Sequence, residues 1–313
     1  MKPELIVVHP QLLGTMAQLA DEFTMHRLWE AEDRDLLIRQ VAQNIRGVAT
    51  NGSSGASAEF IDLFPNLEMI GSFGVGYDAI DVAHAKSRGI VVTNTPGVLV
   101  EGVAEMGMTL MLATTRRVAE GDRYVRAGRW PVEGDLPLGR SLAGKKLGIV
   151  GLGDIGSRLA EMATVFKMEI SYYGPNNKPA YPYTYEPDLV QLAKNSDYLM
   201  ISCKGGEETR DLVTGDVIEA LGPDGMLINI SRGTVVDEDA LLSALQTGKL
   251  GFAGLDVFDK EPQVPAGFME LDNVLLAPHV GSATTETRVA MGDLVAKNIL
   301  AYFSGQPVPT PVT

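Results

Sequence analysis

Short apolar runs closed by turn-forming residues punctuate this chain. They are LIVVH (5–9), RGVAT (46–50), LEMIGS (67–72) and GIVVTN (89–94), then KLGIV (146–150), EISYY (169–173), YLMIS (198–202), MLINI (226–230), GFAGLDV (251–257) and NVLLAP (273–278). Most runs of the second set are apolar throughout rather than at alternate positions. Strands of that kind are covered on both faces, as in a parallel sheet flanked by helices. Helical patterns such as 12–20 and 78–89 fall between the runs, so the sequence predicts an α/β fold with parallel sheets. The breaker NTPG (94–97) ends the first alternation. Residues 98–127 follow as one long helical pattern, rich in Met, Leu, Val and Ala. It is apolar on more than one face, which predicts burial in a large core or against a second subunit. The second alternation starts at 146, and a last helix near 283–303 precedes a Pro-rich tail, QPVPTPVT. A length of 313 residues fits two domains. The expectation is two lobes, a cleft between them, and a C-terminal helix returning to the first.

Charge and cysteine content narrow the function classes. There are 26 Lys and Arg against 40 Asp and Glu, a formal charge of −14. An acidic surface gives no help in holding nucleic acid or an anionic membrane, so neither is an expected partner. An anionic ligand must be held by local cations. The single cysteine, Cys203, excludes an intramolecular disulfide and a cysteine metal cage. A reducing compartment is the natural reading, and no metal is expected. The N-terminal MKPELIVVHPQLLGTM has no secretory pattern, and the most apolar long stretch, 98–113, is interrupted by Glu101 and Glu105. A soluble, cytoplasmic protein is expected.

GLGDIG (151–156) satisfies G-x-G-x-x-G between the strand 146–150 and a helix, SRLAEMATVF. In that setting Gly151 permits the tight turn, Gly153 lets backbone approach a diphosphate, and Gly156 allows close helix–strand packing. The helix start offers unpaired N–H groups and the positive end of its dipole. NAD-binding versions place an acid at the end of the next strand, where it accepts from the ribose 2′-hydroxyl. Here that strand runs into ISYYGPNNKP (170–179), which has no acid. Gly174 and Pro175 make the turn, Asn176 and Asn177 can donate, and Lys178 adds a positive charge. Those groups suit a 2′-phosphate, so NADP(H) is favoured over NAD(H). The other reading is an Asn-rich turn indifferent to the cofactor.

Of the four histidines, His9, His26, His84 and His279, only His279 lies in the second half, directly after the run NVLLAP. Ligands of open α/β sheets bind beyond the carboxyl ends of strands, and a histidine there can exchange protons near neutral pH. Arg232 follows INIS and Glu261 lies within GLDVFDKEP, also beyond strand ends. An arginine fork binds a carboxylate at two points, and a glutamate on the histidine's second nitrogen fixes its tautomer. Together the three read as anion clamp, orienter and acid.

NISRGTVVDEDAL, GLDVFDKEP and LLAPHVGSAT, with GLGDIG upstream, resemble the D-isomer-specific 2-hydroxyacid dehydrogenases, and within them the glyoxylate/hydroxypyruvate reductases. GSFGVGYDAID (71–81) is similar to that family's substrate loop, and TPGVLVEGVAEMGMTLMLA to its interdomain and dimerisation helix. The resemblance implies two Rossmann-like or flavodoxin-like domains: a discontinuous substrate-binding domain at 1–94 plus 283–313, and a dinucleotide-binding domain at 95–282. It implies a homodimer through the helix near 98–127. Arg232, Glu261 and His279 would be catalytic. The backbone N–H groups of Val75 and Gly76 would hold the substrate carboxylate, with Ser53 and Ser54 as extra contacts. Trp130 is either near the substrate, across the dimer in some reductases, or a rim residue. Cofactor contacts would come from Gly151, Leu152, Gly153, Asp154, Ile155 and Gly156. Cys203, Lys204, Ile230, Asp256 and Gly281 would add to them, with Lys204 either on a phosphate or solvated.

The activity so implied is hydride transfer to C2 of a small 2-oxo acid, with His279 giving the proton and a D-2-hydroxy acid as product. The alternatives are a hydroxyphenylpyruvate or phenylpyruvate reductase, D-lactate-type, phosphoglycerate and formate dehydrogenases, and a nucleotide-sensing binding protein on the same fold. The chain closes soon after its last helix, where many phosphoglycerate enzymes carry a regulatory extension, which counts against those.

Overall fold

In the computed structural model, which describes residues 2–10 and 12–313, the chain divides into two units. The first runs to Leu99 and takes in Ala283–Thr313; the second is Val100–Ser282. In the first, β1 (Glu4–Val7), β2 (Thr24–Arg27), β3 (Ile45–Asn51), β4 (Met69–Phe73) and β5 (Val91–Thr93) form a parallel sheet in the order β2-β1-β3-β4-β5. Side chains alternate between its faces. Ile6, Val48, Ile70 and Val92 pack with Ile38, Ile61 and Phe64 on one side. Leu5, Val7, Ala49 and Met69 meet Met16 and Leu19 of the helix Leu13–Ala20, and Val295 and Ile299 of the C-terminal helix Thr285–Phe303, on the other.

The second unit holds β6 (Lys146–Val150), β7 (Glu169–Tyr173), β8 (Thr184–Tyr185), β9 (Tyr198–Ile201), β10 (Met226–Asn229), β11 (Phe252–Leu255) and β12 (Val274–Leu276). All pairs are parallel, in the order β12-β11-β10-β9-β6-β7-β8. Leu147, Ile149, Leu199, Met200, Ile201, Leu227 and Ile228 are each 0 % exposed, which explains the continuous apolar runs. The strand order reverses between β6 and β9, the topological switch point where such sheets bind nucleotides.

The long helical pattern at 98–127 is not one helix. It breaks into Val100–Thr115 and Val118–Arg126 at Arg117, whose φ is +55°. The Arg117 guanidinium bonds Glu120 in the next turn (2.6 and 3.0 Å), which stabilises the restart. The apolar faces of Val100–Thr115 are taken up inside the unit, with Val103, Met108, Leu110 and Met111 buried. The exposed apolar side chains lie further on: Val118, Val125, Trp130, Val132 and Leu138 are 57–95 % exposed. Among the described residues no helix is long and apolar enough to cross a membrane.

Candidate active site

The glycine-rich turn leaves β6 at Gly151, whose φ of +96° suits glycine. Its backbone lies against Cys203 at the end of β9: a Cβ on Gly151 would stand 2.5 Å from the Cys203 Cα. Ser202 Oγ–H donates to the Gly151 carbonyl at 2.9 Å, tying the turn to the neighbouring strand. The helix Asp154–Val165 starts at Gly153 with no side chain capping it, and nothing would obstruct a Cβ on Gly153 within 4 Å. Gly156 packs against the Gly151 carbonyl. An uncapped helix start facing open space at the switch point fits a dinucleotide diphosphate.

Beyond β7 the segment 174–178 is organised by Tyr172. Its hydroxyl donates to Asn177 Oδ1 (2.9 Å) and accepts from the Lys178 N–H (2.6 Å). Lys178 Nζ donates to the Leu152 carbonyl at 2.6 Å, so the ammonium spends one of its three donors bracing the glycine-rich turn. Asn176 and the Asn177 amide face solvent, and Pro175 is exposed. Lys204 is also exposed; its carbonyl accepts from Thr209 Oγ1 at 2.8 Å.

At the carboxyl ends of β10, β11 and β12 the structure groups three charged residues. His279 Nδ1 pairs with Glu261 Oε2 at 2.6 Å, and Glu261 Oε1 accepts from the Phe258 N–H at 3.0 Å. Burial pushes the Glu261 carboxyl up. The hydrogen bonds from His279 and the Phe258 N–H, and the charges of His279 and Arg232, outweigh it and hold Glu261 below the ordinary carboxylate range. A carboxylate that stays ionised beside Nδ1 leaves the other ring nitrogen for proton transfer.

The His279 backbone is strained, with φ +53°. Asp256 holds it. The Asp256 carbonyl accepts from the His279 N–H (2.8 Å), and its carboxylate accepts from Val280 N–H (2.8 Å) and Gly281 N–H (2.7 Å). Asp256 is 1 % exposed, and burial raises its carboxyl against the lowering effect of those two N–H groups. Arg232 is presented by a second buried polar residue. Asn229 accepts from the Ser231 N–H (3.0 Å) and donates to the Arg232 carbonyl (2.9 Å), shaping the loop after β10. The next residue, Gly233, lets this loop lie directly on the Phe258–Asp259 backbone, where any Cβ would overlap the Phe258 carbonyl. Gly205 lies against the Arg232 stem; a Cβ there would stand 2.5 Å from Arg232 Cγ. Ile230, the first residue of the loop, is buried.

Sequence reasoning did not find Asn229, Gly205 and Gly233. The available signal was an asparagine closing an otherwise apolar run, MLIN. The other histidines serve elsewhere: His26 pairs with Glu4 (2.7 Å) and His84 with Asp62 (2.8 Å). Trp130 is 57 % exposed, and its indole N–H donates to Asp135 at 3.2 Å. Burial pushes the Cys203 thiol up to about 11.

In the first unit Gly74, with φ +142°, turns the chain off β4 into the loop 75–78. Asn94 Nδ2 donates to the Val75 carbonyl (2.9 Å), and Thr95 Oγ1 accepts from the Gly74 N–H (3.0 Å). Among the described residues the N–H groups of Val75 and Gly76 make no hydrogen bond within the protein. Two adjacent unspent N–H donors suit a carboxylate. The N–H groups of Ser53 and Ser54 are already taken by Asn51 Oδ1, at 3.2 and 2.6 Å.

A seven-stranded parallel sheet with a dinucleotide turn at its switch point, and an Arg–Glu–His group at neighbouring strand ends, defines a nicotinamide-dependent dehydrogenase. Residues 108–281 match the profile of the D-isomer specific 2-hydroxyacid dehydrogenase NAD binding domain. The chain belongs to the D-isomer-specific 2-hydroxyacid dehydrogenase family. It is 48 % identical over 296 residues to a hydroxyphenylpyruvate reductase of Plectranthus scutellarioides, covering 94 % of each chain. It is 48 % identical over 295 residues to a glyoxylate/hydroxypyruvate reductase of Arabidopsis thaliana, again covering 94 % of each. Among solved structures it is similar to an NADPH-dependent glyoxylate/hydroxypyruvate reductase of Sinorhizobium meliloti in complex with NADP and malonate. The TM-score is 0.94 and the identity 41 %, covering 100 % of this chain and 97 % of that one.

Proposed function

We propose that this protein reduces a small 2-oxo acid of the glyoxylate/hydroxypyruvate class to the D-2-hydroxy acid, with NADP(H) favoured over NAD(H). The observation that carries the reading is the 2.6 Å His279–Glu261 pair beside Arg232 at the strand ends of a dinucleotide-binding sheet. The cofactor, when bound, supplies the hydride for C2. GLGDIG and its helix start would take the diphosphate, with Asp256, Cys203, Ile230 and Gly281 lining the approach. The Val75 and Gly76 N–H groups would hold the substrate carboxylate. His279, kept in orientation by Glu261, gives its proton to the carbonyl oxygen as negative charge gathers there. Arg232 stabilises that charge and fixes the carboxylate by its fork.

NADP(H) preference is supported by the lack of any acid in 174–178 and by the amides of Asn176 and Asn177 in solvent, where neutral donors suit a 2′-phosphate. A homodimer is supported by the exposed apolar side chains of 118–138. The test is oxidation of NADPH and of NADH with glyoxylate, hydroxypyruvate and phenylpyruvates. Turnover of the first two, faster with NADPH, is expected; no turnover of any 2-oxo acid would sink the reading. Asn176→Asp should move preference toward NADH, and an unchanged ratio would remove this stretch from cofactor selection.

A further inference from the structure

Arg288 lies in the first turns of the C-terminal helix, on the sheet face where Phe73 also packs. Its guanidinium carbon stands 5.4 Å from the centre of the Phe73 ring. Among the described residues no carboxylate pairs with it. It is half-buried, and burial alone moves its guanidinium, downward from the ordinary value. Withdrawing a cation from water without a counter-ion is costly, and stacking on an aromatic ring offsets only part of that cost. A cation held in this state is ready to gain from an incoming oxygen acceptor.

Its place in the fold says which one. Phe73 is the last residue of β4, directly before Gly74 and the unspent N–H groups of Val75 and Gly76. In the reading proposed above, those two N–H groups take the C1 carboxylate of a 2-oxo acid. Arg288 stacks on the ring of the residue that leads directly into that anchor. We propose that Arg288 is a specificity-determining residue that binds an acceptor oxygen, hydroxyl or carboxylate, carried on the substrate beyond C2. This rests on the reading of Val75–Gly76 as the carboxylate anchor. It favours hydroxylated or acidic 2-oxo acids over those ending in a methyl or aryl group.

Glyoxylate has nothing beyond C2 and serves as the internal control. Arg288→Met keeps an unbranched stem over Phe73 and removes the charge. The expected result is a loss in kcat/KM of about tenfold to a hundredfold for hydroxypyruvate and oxaloacetate, the range for one hydrogen bond to a charged group. Glyoxylate and pyruvate should be unaffected, and Arg288→Lys should recover part of the loss. Equal losses on all four acids, or none, would overturn the proposal. A second readout needs no turnover. Malonate should raise the Tm of the wild type more than acetate does, and this difference should shrink in Arg288→Met. An equal malonate shift in both proteins, or none in the wild type, would also overturn it. Absence of turnover in the wild type alone would instead count against the assigned activity, with the melting shifts still deciding the role of Arg288.

Discussion

Glu261→Gln keeps the side-chain volume and removes one charge from the best-defined pair in the site. In the native protein one Glu261 oxygen pairs with His279 Nδ1 at 2.6 Å while the other accepts from the Phe258 N–H at 3.0 Å. Glutamine offers one acceptor oxygen. If it stays with Phe258, an amide donor faces His279; if it turns, the Phe258 N–H meets a donor. Either arrangement forfeits a hydrogen bond involving a charged group, worth about 1.5–3 kcal/mol. The His279 side chain is 42 % exposed and that of Glu261 26 %, so water screens the pair. The lower part of that range applies, ~1.5–2 kcal/mol, or roughly 10- to 30-fold in kcat for reduction. The sign of the pH effect follows from Glu261 lying below the ordinary carboxylate range. A depressed carboxylate stabilises the fold above its unfolded pKa, and that contribution is lost as pH falls through the folded value. The Tm of the variant should therefore lie below the wild type at neutral pH, and the two should converge in acid, below the ordinary carboxylate range. The assay is initial rates of 2-oxo acid reduction across pH, with melts of the same samples. An unchanged kcat at every pH and superimposable melts would refute the role given to Glu261.

Three further outcomes rest on separate contacts. Asp256→Asn leaves one acceptor for the Val280 and Gly281 N–H groups, so one of them faces an amide donor. Stability should fall by about 1–3 kcal/mol and kcat with it, as the strained His279 backbone loosens; a wild-type denaturant midpoint and rate would count against this brace. Gly233→Ala has no room over the Phe258 carbonyl, so the 232 and 258 loops must part. Loss of turnover with a lower Tm is expected, and full activity would show that the loops need not touch. The Cys203 thiol, pushed up to about 11 by burial, stays protonated at neutral pH. Its reaction with a disulfide reagent should be far slower in the native protein than in denaturant at the same pH; equal rates would contradict its burial.

Much of the fold was legible because parallel strands covered on both faces must be apolar at every position. MLINI and YLMIS could be placed on that ground alone. Two of the four edge strands were not legible. β2 reads TMHR and β8 only TY, and edge strands this short and polar carry no periodic signal. The break at Arg117 was hidden because no glycine or proline marks its left-handed backbone. In the site, His279 and Glu261 stood out as titratable residues in the segments that follow strands. Asp256 and Asn229 do their work through backbone N–H and carbonyl groups of other segments, a relation that only the folded chain displays. Arg288 sits in ETRVA at the start of a helix, a pattern that reads as a solvated face until Phe73 is found beneath the guanidinium.

The proton-transfer role of His279 is the point on which the account turns. The decisive measurement compares wild type with His279→Ala for reduction of hydroxypyruvate or glyoxylate, alongside NADPH binding followed by quenching of protein fluorescence. Turnover should fall by about a hundredfold or more, the usual share of a positioned acid, while the Kd for NADPH stays as it was. Comparable turnover in the variant would contradict the account.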